Sequence, residues 1–128
     1  MPTIKPESKI YIEKAQKSFK AAKILRKEGL EEDAFSRAYY AVLNLAKAIL
    51  VNAGIELPKT HSGMIATLWA NKSKLKILET IIQNISRYQA LREGGDYGII
   101  TYVNKEDLDN IFADIEVLFK NLGEKSEK

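Results

Sequence analysis

Apolar residues recur at steps of three and four along most of the chain, which is the period of an amphipathic α-helix. In residues 6–28 the apolar positions are Ile12, Ala15, Phe19, Ala22 and Leu25. Lysines occupy the opposite face, and a glycine follows the segment as a stop signal. The pattern predicts a first helix with one buried face. Its basic face either lies in solvent, as on any soluble helix, or follows a phosphate backbone.

A second helical segment, residues 31–53, is apolar over more than half of its circumference. Such a helix must be covered on several sides, which places it at the centre of a bundle. Its narrow remaining strip carries Arg37, Tyr40, Asn44 and Val51. A polar strip on a central helix lines a site, faces a partner subunit or reaches solvent at a seam between helices.

The pattern in residues 74–93 leads to one arginine. Leu78, Ile81, Ile85 and Tyr88 form an apolar stripe, and the next step of four reaches Arg92. A guanidinium that continues an apolar stripe lies at the edge of a core or of an interface, where it normally has a defined task. The alternative is that the helix frays before Arg92 and the side chain extends into solvent.

Two further helices complete the pattern, a short one at residues 62–70 and a last one that begins after Asn104 and ends before Gly123. Glycines and strand-like residues at 94–103 form a corner and an extended connector before the last helix. The sequence therefore predicts an all-α fold, an antiparallel up-and-down bundle of four long helices plus one short helix. It predicts a single domain over 1–128, with a core at about 8–122 and a disordered charged tail at 124–128.

Composition excludes several classes of site. The chain has no Cys and one His, so a disulfide scaffold, a thiolate metal centre and a multi-histidine metal site are ruled out within one chain. We expect neither a metal nor a cofactor. The net charge of +3, from 20 Lys and Arg against 17 Asp and Glu, allows an anionic partner without requiring one.

The chain is not expected to enter a membrane. Its most apolar stretch, residues 34–53, is interrupted by polar and charged side chains, and the N-terminus lacks the apolar segment of a signal peptide. These features favour a soluble protein of the cytoplasm.

Candidate chemistry concentrates around the glycine corner, where Arg92, Asp96 and Tyr97 are the candidate catalytic residues. An arginine can bind a phosphate through two hydrogen bonds and stabilise the charge that develops during phosphoryl transfer. An aspartate can orient or deprotonate a hydroxyl, and a tyrosine can donate a hydrogen bond or stack on a nucleobase. The candidate ligand-binding or interface residues are Arg37, Tyr40, Asn44, His61 and Tyr102.

These residue types are compatible with RNA cleavage through attack by a 2′-hydroxyl, which needs no metal. They are equally compatible with a structural pair of Arg92 and Asp96. A glycine-rich phosphate loop before a helix is absent from the sequence, and no nucleophile elbow is present. Taken alone, the residues favour the structural interpretation over the catalytic one.

The segment 34–50, AFSRAYYAVLNLAKAIL, resembles the second helix of HEPN domains, in which a Ser-Arg-Ala-Tyr-Tyr-Ala core precedes an Ala-Lys-Ala-Leu-like run. The His61-Ser62-Gly63 sequence, and the stretch from Arg92 to Tyr97, occur where later motifs of that family occur. The resemblance spans about residues 8–122 and is to small stand-alone prokaryotic HEPN proteins, often archaeal. It implies a helical bundle that forms a homodimer.

The resemblance also implies a function, for which one motif residue is missing from this sequence. Many HEPN proteins are RNases, typically toxins encoded beside a minimal nucleotidyltransferase that acts as the antitoxin. Their active motif is an Arg followed after four to six residues by a His, at the dimer interface. Arg92 matches the Arg, but Tyr97 stands at the His position of the shortest spacing and no His follows His61. The motif is therefore incomplete.

Three hypotheses follow for the function. The first is a HEPN-like component of a HEPN/nucleotidyltransferase pair that cleaves RNA, or binds RNA or a nucleotide, at a dimer-interface site. The second is a non-catalytic helical module that binds a partner nucleotidyltransferase. The third is a structural dimer without a ligand. Either Asp96 or His61 would have to replace the absent histidine if the chain cleaves RNA.

Overall fold

The computed structural model describes residues 4–96 and 103–127 of the chain, apart from the side chains of residues 93–96. Within these ranges the chain is helical and contains no strand, so the predicted all-α fold is confirmed. The helices in the described ranges are α1 (Pro6–Lys27), α2 (Glu31–Asn52), α3 (His61–Ala70), α4 (Lys72–Leu75), α5 (Glu79–Asp96) and α6 (Lys105–Asn121).

α1 and α2 form an antiparallel hairpin that closes at Gly29. This glycine has a φ of +80°, a left-handed conformation that reverses the chain at little steric cost. At the other end of the hairpin, the buried Ser8 hydroxyl donates to the carbonyl oxygen of Ala48 at 2.8 Å. The start of α1 therefore lies beside the end of α2.

The second helix lies at the centre of the bundle, as its apolar circumference predicts. Thirteen of its 22 residues are buried, and α1, α3, α5 and α6 all pack against it. Leu45 and Leu50 are completely buried. Because its neighbours enclose α2, few of its side chains beyond the first turn are exposed to solvent, and Arg37 and Tyr40 are among them.

The helix predicted at residues 74–93 is wrong at its beginning. α4 is a separate turn of helix that ends at Leu75. The next residue, Lys76, has a left-handed φ of 58°, and α5 starts only at Glu79. In a continuous helix Leu75 and Ile77 would point about 200° apart. The break lets both side chains face the core, each only 7% exposed, and leaves Leu78 62% exposed although the sequence pattern placed it in the core stripe.

The start of α6 and the residues after it both make specific hydrogen bonds. Asn104 and Asp107 form the reciprocal hydrogen bonds of a capping box at the start of α6, which confirms the predicted cap. Residues 124–127, predicted as a disordered tail, instead lie against α1. The amide of Gln16 donates to the carbonyl oxygen of Lys125 at 2.9 Å, and Lys23 forms an ion pair with Glu127 at 3.4 Å.

Candidate functional site

Arg92 and His61 meet at the ring of Tyr39. The guanidinium carbon of Arg92, on α5, lies 5.8 Å from the centre of that ring, and the imidazole of His61 lies 6.3 Å from it at an angle of 74°. Tyr39 belongs to α2 and is only 1% exposed, whereas Arg92 is half-buried and His61 is exposed. The core thus holds a fixed aromatic surface against which two surface-reaching nitrogen groups lie.

The position of Arg92 is the one that its apolar stripe predicts. Ile81, Ile85 and Tyr88 are buried along α5, and the helix extends beyond Arg92 to Asp96. A guanidinium at the edge of a core is partly desolvated, which strengthens its interaction with an aromatic face and with a bound anion. Arg92 therefore combines a rigid backbone position with a partly open side chain.

The sequence around His61 places the imidazole at the start of α3. The Thr60 hydroxyl accepts a hydrogen bond from the backbone N–H of Gly63 at 3.0 Å and so caps the helix. A side chain at Gly63 would approach the Thr60 hydroxyl to 2.9 Å and the Pro58 side chain to 3.2 Å. The Thr-His-Ser-Gly sequence thus forms a tight helix start, with His61 as its first helical residue.

The polar strip of α2 is only partly present at the surface. Arg37 and Tyr40 are exposed, Tyr40 by 47%. Asn44 departs from the predicted strip because it is 2% exposed and its side-chain amide donates to the carbonyl oxygen of Tyr40 at 2.9 Å. This hydrogen bond within the helix satisfies the amide internally, so Asn44 does not reach a ligand or partner at the surface of the single chain.

Three other sequence candidates cannot be placed in this geometry. Asp96 is the last residue of α5, and its side chain lies outside the described part of the structure. Tyr97 and Tyr102 also lie outside the described residues. The structure therefore places Arg92 and His61 each beside the ring of Tyr39, a residue that the sequence pattern assigned to the core alone.

A buried hydrogen-bond network holds α5 against α6 one turn before Arg92. The completely buried Tyr88 donates from its hydroxyl to the carboxylate of Asp114, and the Asn84 amide donates to the same oxygen at 3.0 Å. The Tyr88 ring also lies 5.8 Å from that of Phe35 on α2. Burial, together with the hydrogen bond and charge of Asp114, raises the pKa of the Tyr88 hydroxyl far above its ordinary value.

The raised pKa predicts a stability loss at high pH that depends on Tyr88. An ordinary tyrosine ionises near pH 10, so the unfolded chain gains a charge that the folded chain resists. Relative to Tyr88→Phe, the wild-type free energy of unfolding should fall by about 1.4 kcal/mol per pH unit above about pH 10. Urea unfolding of both proteins between pH 8 and 11 measures this difference. A constant difference across that range would contradict the prediction.

A large cleft lies elsewhere on the molecule. It has a volume of about 930 Å³ and lies between α1, α6 and the C-terminal residues, away from Arg92. Lys23, its cation on the α1 side, is already paired with Glu127. The cleft therefore contains no unneutralised cation of α1, and its other cations are Lys120 and Lys125.

Two kinds of feature are absent from the described ranges, a metal-binding cluster and a membrane-spanning helix. No group of three or more His, Asp or Glu residues in 4–96 and 103–127 is arranged to hold a metal ion. No helix in the same part of the chain is both long enough and apolar enough to cross a membrane.

Comparison with known families identifies the fold. The family model described as the HEPN domain matches residues 8–125 of the chain. The chain belongs to the HEPN family. The Arg92, His61 and Tyr39 cluster thus belongs to a HEPN domain, and Tyr39 lies in the Ser-Arg-Ala-Tyr-Tyr-Ala sequence of α2.

Individual proteins are also similar to the chain, over about half to most of its length. A protein named "UPF0332 protein" from Archaeoglobus fulgidus is 37% identical over 111 residues, which cover 87% of this chain and 88% of the relative. Two proteins of Methanocaldococcus jannaschii carry the name "Putative toxin". One is 31% identical over 80% of this chain and 70% of its own length. The other is 44% identical over 48% of this chain and 46% of its own length.

Proposed function

We propose that this HEPN protein is a toxin-type protein that acts on RNA and cleaves it without a metal ion. The observation that carries the proposal is the contact of Arg92 and His61 with one ring, that of Tyr39. A guanidinium and an imidazole held at one place supply both an anion-binding group and a group that can move a proton. The toxin names of two relatives support the same assignment.

In the proposed reaction the 2′-hydroxyl oxygen of a ribose attacks the adjacent phosphorus, and His61 accepts the hydroxyl proton. Arg92 pairs with the nonbridging oxygens as negative charge builds up on them. The bond between phosphorus and the 5′-oxygen then breaks, and that oxygen takes a proton from water. The hydroxide ion left behind accepts the proton held by His61, which returns to its neutral form. The products are a 2′,3′-cyclic phosphate and a free 5′-hydroxyl, so atoms and charges balance without a metal.

The proposal includes partners for the protein. The proposed homodimer packs through the exposed strip of α2 that carries Arg37 and Tyr40, the positions at which the otherwise enclosed central helix reaches the surface. A minimal nucleotidyltransferase is the proposed partner protein, in keeping with the toxin names of the relatives.

Cleavage can be tested with the wild-type protein in the presence of EDTA. We expect a structured cellular RNA to be cut with metal chelated, leaving 2′,3′-cyclic phosphate ends, because neither Arg92 nor His61 needs a metal to act. An otherwise identical oligonucleotide with 2′-deoxy sugars should stay intact. Electrophoresis and end-group analysis by mass spectrometry measure both results. Cleavage of the deoxy substrate, or cleavage that stops in EDTA, would refute the mechanism.

The second candidate function is a module that binds RNA or a partner without cutting. It is favoured by Tyr97, which occupies the position where the resemblance implies a histidine. Intact RNA at high concentrations of a correctly folded protein, together with RNA binding that Arg92→Ala weakens, would establish this alternative.

A further inference from the structure

A second group of cations surrounds an aromatic ring at the end of the α1–α2 hairpin opposite Gly29. Tyr11 of α1 is half-buried and packs against the core. The ammonium nitrogen of Lys14 lies 5.7 Å from the centre of the Tyr11 ring, and that of Lys47 on α2 lies 5.9 Å from it. Two helices thus direct two lysines to one ring.

These lysines differ from other lysines that lie over aromatic rings in the structure. Lys23 lies over Phe19 and is paired with Glu127, and Lys72 lies over Trp69 and is paired with Glu79. In the ranges 4–96 and 103–127, neither Lys14 nor Lys47 has a carboxylate within 4.0 Å. Their positive charges are therefore available to an anion beside Tyr11.

An open groove of about 730 Å³ continues from Tyr11 between α1 and the residues that follow α2. Ile10, which is 56% exposed, and Lys5 line it. The carboxylates of Glu7 and Glu56 line it too, so the groove itself does not favour a row of phosphates. An uncharged, flat group fits this lining, while anionic groups fit the end where Lys14 and Lys47 meet.

We propose that Tyr11, Lys14 and Lys47 form a subsite for one nucleotide of single-stranded RNA. The base stacks on the Tyr11 ring at the mouth of the groove, and the phosphates on either side of it pair with the two lysines. Stacking on an aromatic ring flanked by cations is the general means by which proteins bind single strands. The choice of RNA rests on the proposed function, since the subsite would hold the same strand outside the cleavage site.

The test is the affinity of a fluorescently labelled eight-nucleotide 2′-O-methyl oligouridylate, measured by anisotropy at several salt concentrations. This oligonucleotide cannot react through its 2′-oxygen, so binding is separated from cleavage. We expect Tyr11→Leu, which keeps an apolar side chain against the core, to weaken binding by about 5-fold or more, the loss of one stacked base. Tyr11→Phe keeps the ring and should bind as the wild type does.

The lysines are tested through the salt dependence of binding. Joint replacement of Lys14 and Lys47 by alanine should lower the slope of log K against log salt by about 1.4, or about 0.7 for each phosphate that the protein no longer neutralises. Joint replacement of Lys20 and Lys27, which are exposed elsewhere on α1, removes the same charge and should leave the slope close to that of the wild type. Circular dichroism checks that every variant is folded.

The outcomes separate this subsite from the cleavage proposal. Unchanged affinity in Tyr11→Leu, or equal slopes in the two double variants, would overturn the subsite even if the wild type cuts RNA. If uridine monophosphate competes at the same concentration as the oligonucleotide, the Tyr11 ring binds a free nucleotide. That result would overturn the proposal that the subsite binds an RNA strand. Binding that depends on Tyr11 in a protein that leaves RNA intact would retain the subsite and refute cleavage.

Discussion

Arg92→Ala should reduce RNA cleavage by at least about 100-fold, which is the usual loss when one group that stabilises developing negative charge is removed. The guanidinium is half-buried against Tyr39, on a helix whose neighbouring turn is fixed by Tyr88. A group held in this way does not have to reorganise when charge builds up on the phosphate. Single-turnover cleavage of a defined RNA in EDTA measures the effect on the chemical step.

Arg87→Ala is a closely matched control for this experiment. Arg87 lies on the same helix, is exposed, and has its guanidinium carbon 5.8 Å from the ring of Tyr88, the same separation as that between Arg92 and Tyr39. Each variant removes one arginine–tyrosine interaction, worth about 0.5–2 kcal/mol. We expect both variants to remain folded, as circular dichroism can verify, and their cleavage rates to differ greatly. Equal rates in the two variants would remove Arg92 from the mechanism.

Arg92→Lys adds a finer test of the same role. Lysine keeps the positive charge but cannot form two parallel hydrogen bonds with a phosphate, so the arginine geometry is lost while the charge remains. We expect a cleavage rate between those of the wild type and Arg92→Ala. A rate equal to that of the wild type would show that charge alone suffices.

Helical periodicity was sufficient to predict the bundle, because every long helix buries one continuous stripe. It also placed Arg92 at the core edge, since the position of a side chain on a regular helix follows from its neighbours on that helix. The pattern failed at Lys76, where burying Leu75 and Ile77 together requires a break in the helix. Such a break depends on which side chains the other helices of the bundle bury, and the sequence pattern of one helix does not contain that information.

The sites depend on contacts between helices, which periodicity does not contain. Tyr39 lies in the core stripe of α2, and nothing in that stripe indicates that residues from α3 and α5 meet at its ring. Tyr11 and Lys47 likewise come together only after α1 folds back on α2. The pattern also placed Asn44 on a polar surface strip. In the structure its side-chain amide instead donates a hydrogen bond to a backbone carbonyl of its own helix.

His61→Ala should also lose most RNA cleavage, by about 100-fold or more, as expected when a positioned group for proton transfer is removed. His61 is the only histidine of the chain and lies at the ring that Arg92 contacts. Because it is exposed at the first position of α3, its removal leaves the core and the Thr60 cap intact. The free energy of unfolding should therefore change by no more than about 0.5 kcal/mol.

Chemical rescue separates proton transfer from a structural role. Because the position is open to solvent, imidazole added to His61→Ala can occupy the vacated space, and we expect it to restore part of the cleavage in proportion to its concentration. Ser62→Ala alters the next exposed residue of the same helical turn and should cleave RNA as the wild type does. Full activity in a folded His61→Ala protein would show that another group accepts the proton. Asp96 would then be the next residue to replace. Loss of activity that imidazole does not restore would show that His61 has a structural role in the site and does not transfer the proton.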